Sequence, residues 1–308
     1  RRPTPDPHTQ PPAPGPAGWV RHRLRESASW AELLHGVLLI PLSLLGGALM
    51  SAVLLVPASL IVSSVVILAL LALGDDPASL DPTGVPWGSR FPALSVRDLV
   101  NVEKQFLDHS GISRILGVLG GSMGGARALE WTLLHPHMLE AALVLAVSAR
   151  ASAWQIGIQT AQISAIEQDP AWNGGDYYSG PHPTGGLATA RRIAHLTYRG
   201  ELEIDERFGT DPQPGENPLG PYRDINQRFA VQSYLDHQGF KLTERFDAGS
   251  YVTLTEAMNR HDIGRGRGGL NKALASSEVP TMIAGVDTDI LYPYHQQEHL
   301  SRNLRKLL

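Results

Sequence analysis

The sequence contains no cysteine among its 308 residues. Disulfides, thiolate zinc sites and cysteine nucleophiles are therefore excluded. It also lacks a surplus of basic charge, because its formal net charge is -4, and this gives no reason to expect nucleic acid as a partner. Its twelve histidines form no metal-ligand motif such as HExxH, so the sequence predicts no metal site.

Charged side chains are missing altogether from residues 33–74. A membrane-spanning helix needs about 20 apolar residues, so this run predicts an apolar helical hairpin that crosses a membrane twice. The Pro-rich and basic residues 1–32 predict a disordered tail on the cytoplasmic side. We therefore expect residues 75–308 to face the cytoplasm as well. The alternative is a pair of helices buried in a soluble protein.

Strand and helix patterns alternate after this run. A helix predicted at 95–109 begins with a near capping box, in which Ser95 is the N-cap and Asp98 stands three residues later. Short apolar strands are predicted at 115–119 and 141–147, with a helix at 123–134 between them. The order strand, helix, strand predicts a parallel sheet and an α/β fold.

Residues 151–275 lose the strand pattern and carry helical stretches separated by loops rich in Gly and Pro. This organisation is typical of a helical cap inserted into an α/β domain. A strand returns at 279–284 and is followed by Asp287 and Asp289. The helices predicted in the cap are 154–166, 187–197, 225–235 and 251–259.

A serine stands among four glycines in the stretch GGSMGG, residues 120–125. The stretch fits G-x-S-x-G, in which a sharp strand-to-helix turn presents the serine as a nucleophile. Ser122 is therefore the candidate nucleophile, and the backbone N–H of Met123 is the candidate oxyanion donor. The alternative is a tight turn that packs a strand against a helix and carries a solvated serine.

In proteins that carry their nucleophile on a G-x-S-x-G turn, the acid of the catalytic triad follows a later strand of the sheet. Asp289 is the candidate, and Asp287 is a competitor that the pattern alone barely separates from it. Either one is also consistent with an ordinary loop aspartate. A further glycine pattern, GRGRGG at 264–269, formally contains G-x-G-x-x-G, but it follows a helix rather than a strand. We reject it as a dinucleotide-binding motif.

Six stretches stand out along the chain, in the order DPTGVPWGSRFP, GGSMGGARALEW, RRIAHLTYRG, AVQSYLDHQGFKL, RFDAGSYVTLTEAMNRHDIGRGRGG and DTDILYP. Together, and in this order, they resemble the homoserine O-acetyltransferase family of α/β-hydrolase-fold acyltransferases. The resemblance covers about residues 79–300, and residues 1–74 lie outside it.

The resemblance implies a ping-pong acyltransferase. Ser122 would take the acetyl group from acetyl-CoA and pass it to the γ-hydroxyl of L-homoserine, for methionine biosynthesis in the cytoplasm. Asp289 would be the triad acid, and Arg191 and Tyr198 would bind the substrate, with the neighbouring Arg192 solvated. No bound cofactor is implied. Members of the family are commonly dimers built through the cap, so a homodimer is expected.

The sequence departs from the family pattern in two places. The Gly-His-Asp motif that carries the family's triad histidine is absent, and only His295 and His299 follow Asp289, in a predicted amphipathic helix. The strands that precede the nucleophile are also missing. The catalytic histidine is thus unknown, and we expect a partial α/β-hydrolase fold at 75–308, apolar sheet edges left exposed, and negligible acetyltransferase activity of this chain alone.

Two other functions stay open at this stage. One is a non-catalytic, membrane-tethered remnant, or a chimeric gene model that joins two unrelated segments. The other is a serine hydrolase, because hydrolases of this fold use the same triad and differ in admitting water. Arg191 and Tyr198 favour transfer over hydrolysis.

Overall fold

The computed structural model describes residues 77–222 and 224–308. The predicted tail at 1–32 and the predicted membrane hairpin at 33–74 lie outside the described residues and remain predictions. Among the helices that are described, none is both long and apolar enough to cross a membrane.

Three parallel strands form the sheet of the described residues, in the order β1-β2-β3. Their bounds are Ile115–Gly121, Leu139–Leu145 and Thr281–Ala284. Leu119 pairs with Leu143, which in turn pairs with Met282. Because neighbouring strands are parallel, their carboxyl ends meet at one edge of the sheet. The predicted α/β class and parallel sheet are confirmed.

Nine α-helices are described in these residues. Helix α1 begins after Ser95, whose side chain accepts the backbone N–H of Asp98 while the Asp98 carboxylate accepts the N–H of Ser95, as the capping box predicts. The bounds are α1 Val96–His109, α2 Met123–Leu134, α3 Ala153–Glu167, α4 Thr184–Thr197, α5 Glu201–Phe208, α6 Ala230–Thr243, α7 Ala248–Asn259, α8 Leu270–Ser276 and α9 Tyr294–Asn303.

The helix predicted at 225–235 is wrong in its first turns, because α6 begins only at Ala230. The Asp224 carboxylate accepts the N–H of Asn226, and the Glu216 carboxylate accepts the N–H of Arg228. These side-chain bonds hold residues 225–229 in a loop. The short helix α5 was not predicted from the sequence pattern.

The amphipathic helix that the sequence predicts over residues 294–308 is shorter in the structure. Helix α9 ends at Asn303, and the next residues extend along β3. The N–H of Thr281 donates to the carbonyl of Lys306, and the N–H of Leu308 donates to the carbonyl of Thr281. These residues lie in parallel pairing at the β3 edge.

The main hydrophobic core lies on one face of the sheet. Val118 and Val144 of the strands pack there against Val100 of α1, Leu129 of α2 and Leu300 of α9. A separate, smaller cluster joins the helices between β2 and β3, and it contains Ile166, Tyr177, Leu187, Ala190, Leu242 and Ala248. The helices α3–α7 thus have a core of their own beside the sheet.

The other face of the sheet is not covered by the described residues. Leu119 is 52% exposed, Met282 is 49% exposed and Leu145 is 37% exposed. All three lie on the same side of their strands, because their register partners are aligned across the sheet. The exposed apolar area among the described residues is thus a face of the sheet, whereas the sequence analysis expects exposed apolar edges, which stays a prediction.

The GRGRGG stretch is part of a buried ion-pair network. Glu130 of α2 is almost fully buried and accepts Nε of Arg97 at 2.9 Å and a guanidinium nitrogen of Arg267 at 2.7 Å. A Cβ on Gly264 would lie 2.6 Å from the backbone nitrogen of Leu270, so the glycine permits a close turn. The stretch therefore ties the start of α8 to the helix that follows Ser122.

Candidate functional site

Ser122 occupies a strained turn between β1 and α2. Its backbone has φ 55° and ψ -121°, and it is the N-cap of α2. A positive φ is uncommon for a residue with a side chain and is maintained only where surrounding contacts hold it. One such contact is the N–H of Ser122, which donates to the carbonyl of Leu145 at 3.0 Å.

Two of the four glycines allow this turn by close packing. A Cβ on Gly120 would lie 2.2 Å from the carbonyl oxygen of Gly124, and one on Gly125 would lie 2.8 Å from that of Leu145. A Cβ on Gly121 would make only ordinary contacts, and one on Gly124 would meet nothing within 4 Å. Of the four glycines, Gly120 and Gly125 are therefore the two at which a side chain would collide with the backbone.

The N-terminus of α2 provides a favourable field for negative charge beside Ser122. Met123 is the first residue of the helix, so its N–H has no intrahelical acceptor. There is no acidic side chain in the first turn of α2 to offset the positive end of the helix dipole. The position suits an N–H that stabilises a developing oxyanion.

Two cavities meet at Ser122. The first has a volume of about 160 Å³ and is lined by Met123 and by side chains of α3 and α7. The second has a volume of about 240 Å³ and is lined by residues 197–200 and by the loop after β3, including Asp289. Ser122, Tyr198, Leu291 and Tyr292 line both cavities. Ser122 is exposed at their junction.

The Tyr292 phenol lies beside the Ser122 side chain, and both residues line the two cavities. The phenol is only 3% exposed, and burial raises the pKa of Tyr292 to about 12, while the neighbouring Ser122 hydroxyl acts in the opposite direction. The phenol therefore stays protonated and neutral near pH 7. Sequence reasoning missed this residue, because the contact joins segments 170 positions apart along the chain (292 minus 122).

Asp289 and Asp287 differ in their surroundings. One carboxylate oxygen of Asp289 accepts the N–H groups of Leu291 and Tyr292, each at 2.8 Å, and Asp289 lines the second cavity. Asp287 is exposed, lines neither cavity, and its side chain has no hydrogen bond to the described residues. The geometry favours Asp289 over Asp287 as the candidate acid. The second carboxylate oxygen of Asp289 has no hydrogen-bond partner among the described residues.

Arg191 and Tyr198 meet at the end of α4. The guanidinium carbon of Arg191 lies 5.4 Å from the centroid of the Tyr198 ring, within the range of a cation–π contact. Nε of Arg191 is buried and has no partner among the described residues. Arg192 instead pairs with Asp236 at 2.9 Å. Of the two arginines, Arg191 has the guanidinium that no described carboxylate neutralises.

A row of glutamines on α3 leads to the first cavity and was missed from the sequence. Gln155, Gln159 and Gln162 are all nine-tenths or more buried, and their spacing places them on one helix face. Nε2 of Gln155 donates to Gln159 at 3.2 Å, and the hydroxyl of Tyr251 donates to Gln162 at 2.7 Å. The sequence signal that could have indicated this row was the helical spacing of the three glutamines.

Histidine is absent from the walls of both cavities, as far as the described residues go. His295 and His299 lie on α9 and line a different groove. His195 is buried under Tyr198, with ring centroids 5.6 Å apart. Burial, with smaller contributions from the nearby Arg191 and Arg199, lowers the pKa of His195 to about 4, so this ring is neutral near pH 7.

A family model described as the alpha/beta hydrolase fold matches residues 38–307. The chain belongs to this family. Strand β1, the turn at Ser122 and helix α2 have the strand–turn–helix order of the nucleophile elbow in this fold, and the parallel order of β1, β2 and β3 agrees with its sheet.

Proteins similar to this chain are named either as acetyltransferases or as esterases. A homoserine O-acetyltransferase of Corynebacterium diphtheriae is 77% identical over 232 residues, which cover 75% of this chain and 63% of that protein. The crystal structure of homoserine O-acetyltransferase from Bacillus anthracis has a TM-score of 0.67 at 24% identity and covers 75% of this chain and 62% of that one. Esterase E22 has a TM-score of 0.67 at 26% identity, with coverage of 75% and 64%. The chain spans about three fifths of the length of the curated relatives it matches.

Proposed function

We propose that this chain derives from a homoserine O-acetyltransferase and carries that enzyme's nucleophile and acceptor-binding residues. The observation that carries the proposal is the 77% identity to a protein of that name, over a chain in which Ser122 sits on a strained elbow at the junction of two cavities. The reaction would convert acetyl-CoA and L-homoserine into O-acetyl-L-homoserine and CoA, with no bound cofactor.

In the first half-reaction Oγ of Ser122 would attack the thioester carbonyl. A C–O bond forms, the C–S bond breaks, and the serine proton leaves with the CoA thiolate as a thiol. The developing oxyanion would lie against the N–H of Met123 at the start of α2. In the second half-reaction the γ-hydroxyl of homoserine attacks the acetyl ester and returns the proton to Ser122.

Arg191 would bind the carboxylate of the acceptor. Its guanidinium has no described ion-pair partner, and it is held against Tyr198, which lines both cavities at Ser122. An unneutralised guanidinium is suited to a bidentate pair with a carboxylate. Arg192 is the matched control, because it already pairs with Asp236 on the surface. In isothermal titration with L-homoserine, Arg191→Ala should weaken binding and Arg192→Ala should not.

The described residues provide no general base beside Ser122. No histidine lines the two cavities, and the Tyr292 phenol is neutral. Loss of a triad base costs about a hundredfold to a millionfold in rate. We therefore expect the purified chain to form O-acetylhomoserine at a negligible rate. Robust product formation that is lost in Ser122→Ala would contradict this expectation.

Serine hydrolysis is the second candidate function. Ser122 is exposed at the junction of its cavities, so water has access to an acyl-serine, and esterase E22 shares the fold at 26% identity. The two functions differ in what happens to the acetyl group. Transfer predicts that homoserine competes with water for it, whereas hydrolysis predicts acetate alone, whatever the homoserine concentration.

Two further parts of the proposal concern location and assembly. We propose that residues 33–74 tether the chain to a membrane with the catalytic-like domain in the cytoplasm, because the run holds no charged residue. A fusion carrying residues 19–80 should then enter the membrane fraction. We also propose a homodimer through the helices between β2 and β3. Sedimentation of the purified chain at monomer mass at all concentrations would refute the dimer.

A further inference from the structure

A second groove lies away from Ser122, between the segment after β2 and helix α9. Its volume is about 790 Å³, larger than either cavity at Ser122, and it shares no lining residue with them. Residues 148–153 form one wall, with Leu270 of α8 beside them, and α9 forms the other wall. We call this the α9 groove.

Basic side chains outnumber acidic ones in its lining. Arg150, His295, His299 and Arg302 line it, against a single carboxylate, Glu298. Arg302 is paired with Glu298 at 3.2 Å. Arg150 has no ion pair and no side-chain hydrogen bond to the described residues. The groove therefore carries one arginine charge that none of the described residues neutralises.

The main chain that carries Arg150 is held in place. The N–H of Ala151 donates to the carbonyl of His261 at 2.9 Å, and the N–H of Ile263 donates to the carbonyl of Ala149 at 3.0 Å. The hydroxyl of Ser148 donates to the carbonyl of Arg150 at 2.6 Å. Because its backbone is fixed, Arg150 would lose less conformational freedom on binding than an arginine on a mobile loop.

Two helices also begin at this groove. Helix α3 starts at Ala153 after its N-cap Ser152, and α9 starts at Tyr294, next to His295. Neither helix has an acidic side chain in its first turn. The positive ends of both helix dipoles are therefore added to the arginine charge rather than offset by carboxylates.

Two buried polar atoms of the lining residues lack partners. Nε2 of His299 and Oε1 of Gln296 are buried and make no hydrogen bond to the described residues. Unpaired buried polar atoms are few in native proteins and are normally satisfied by water or a ligand. Side-chain amides and imidazoles supply N–H donors once their orientation and tautomer suit the ligand.

We propose that the α9 groove binds a phosphoryl group, with Arg150 as its principal anchor. A phosphate or diphosphate offers several acceptor oxygens and at least one full negative charge to the arginine, the ring nitrogens and the two helix starts. Free inorganic pyrophosphate and the phosphates of a nucleotide-bearing ligand such as CoA share this chemistry. The proposal does not depend on catalysis at Ser122.

Isothermal titration of the full chain with inorganic pyrophosphate, and separately with CoA, tests the proposal. We expect saturable binding of at least one of the two, weakened about tenfold to a hundredfold by Arg150→Ala. The matched control is Arg305→Ala, which removes the same charge from an exposed arginine that pairs with Glu278 and lies outside the groove. The control should change the affinity less than twofold.

Each outcome decides the question. Binding of pyrophosphate that depends on Arg150 supports a site for free phosphates, and binding of CoA alone with the same dependence supports a nucleotide phosphate. Equal weakening by Arg150→Ala and Arg305→Ala would show diffuse charge attraction and overturn the proposal, as would the absence of saturable binding for both probes. Circular dichroism and thermal melting of both variants establish that they are folded.

Discussion

Gly120 and Gly124 provide a paired test of the elbow, because the same substitution at the two positions should have opposite effects. An alanine Cβ at Gly120 would lie 2.2 Å from the carbonyl oxygen of Gly124 and 2.3 Å from its carbonyl carbon. Ordinary contacts lie near 3.5–4.0 Å, so the start of α2 would have to move by about 1 Å or more. Both clashing atoms belong to the main chain and cannot rotate away.

Overpacking of this kind costs about 1–3 kcal/mol or more. An alanine at Gly124 meets nothing within 4 Å, and it restricts the unfolded chain and favours the helix by about 0.5–1 kcal/mol. We therefore expect the free energies of unfolding of Gly120→Ala and Gly124→Ala to differ by about 1–3 kcal/mol, the cost of overpacking, with Gly120→Ala the less stable.

Urea denaturation of the two variants measures this difference directly. With a slope of about 2 kcal/mol per molar urea, the midpoints should lie about 1 M apart. The two proteins have identical composition, so effects on the unfolded state nearly cancel. Equal midpoints, or a Gly124→Ala variant less stable than Gly120→Ala, would refute the argument that close backbone approach at Gly120 holds the elbow.

Three further predictions concern buried and titratable groups. Glu130→Ala should cost about 3–5 kcal/mol, measured by urea denaturation, because it leaves two arginines without their buried partner; a loss below 1 kcal/mol would contradict this. Asp289→Ala should cost about 1–3 kcal/mol through the loss of two backbone hydrogen bonds, whereas the exposed Asp287→Ala should change stability by less than about 0.5 kcal/mol. The depressed pKa of His195, about 4, means that the unfolded chain binds a proton below about pH 6.5 and the folded chain does not. Stability should therefore fall as the pH drops from about 6.5 to 4, by up to about 3 kcal/mol, and His195→Gln should flatten this dependence.

The elbow was predictable because its chemistry is local. A serine between glycines after an apolar strand and before a helix specifies the turn within a few residues, and α2 begins at Met123 as predicted. Helix α1 was predictable for the same reason, since Ser95 and Asp98 cap it within one turn. At residues 225–229 the predicted helix was wrong, because the carboxylates of the neighbouring Asp224 and of Glu216, twelve residues before Arg228, accept the backbone N–H groups instead.

The surroundings of the serine depend on contacts between distant segments. No local pattern distinguishes Asp289 from Asp287, and the difference emerges only once the turn at residues 289–292 is folded. The position of the Tyr292 phenol beside Ser122 also could not be predicted from either segment alone. The family resemblance already assigns substrate binding to Arg191 rather than Arg192, but the ion pair of Arg192 with Asp236 on another helix could not be predicted from the sequence.

We propose that the turn between β1 and α2 still presents Ser122 as a nucleophile and that the described residues around it supply no general base. A fluorophosphonate probe, with and without added imidazole, tests both parts on the full-length chain. Imidazole should enter the cavities beside Ser122 and accelerate labelling of that residue, located by peptide mass spectrometry and absent in Ser122→Ala. No labelling of Ser122 in folded protein at any imidazole concentration, or labelling of exposed serines such as Ser110 to the same extent, would contradict the account.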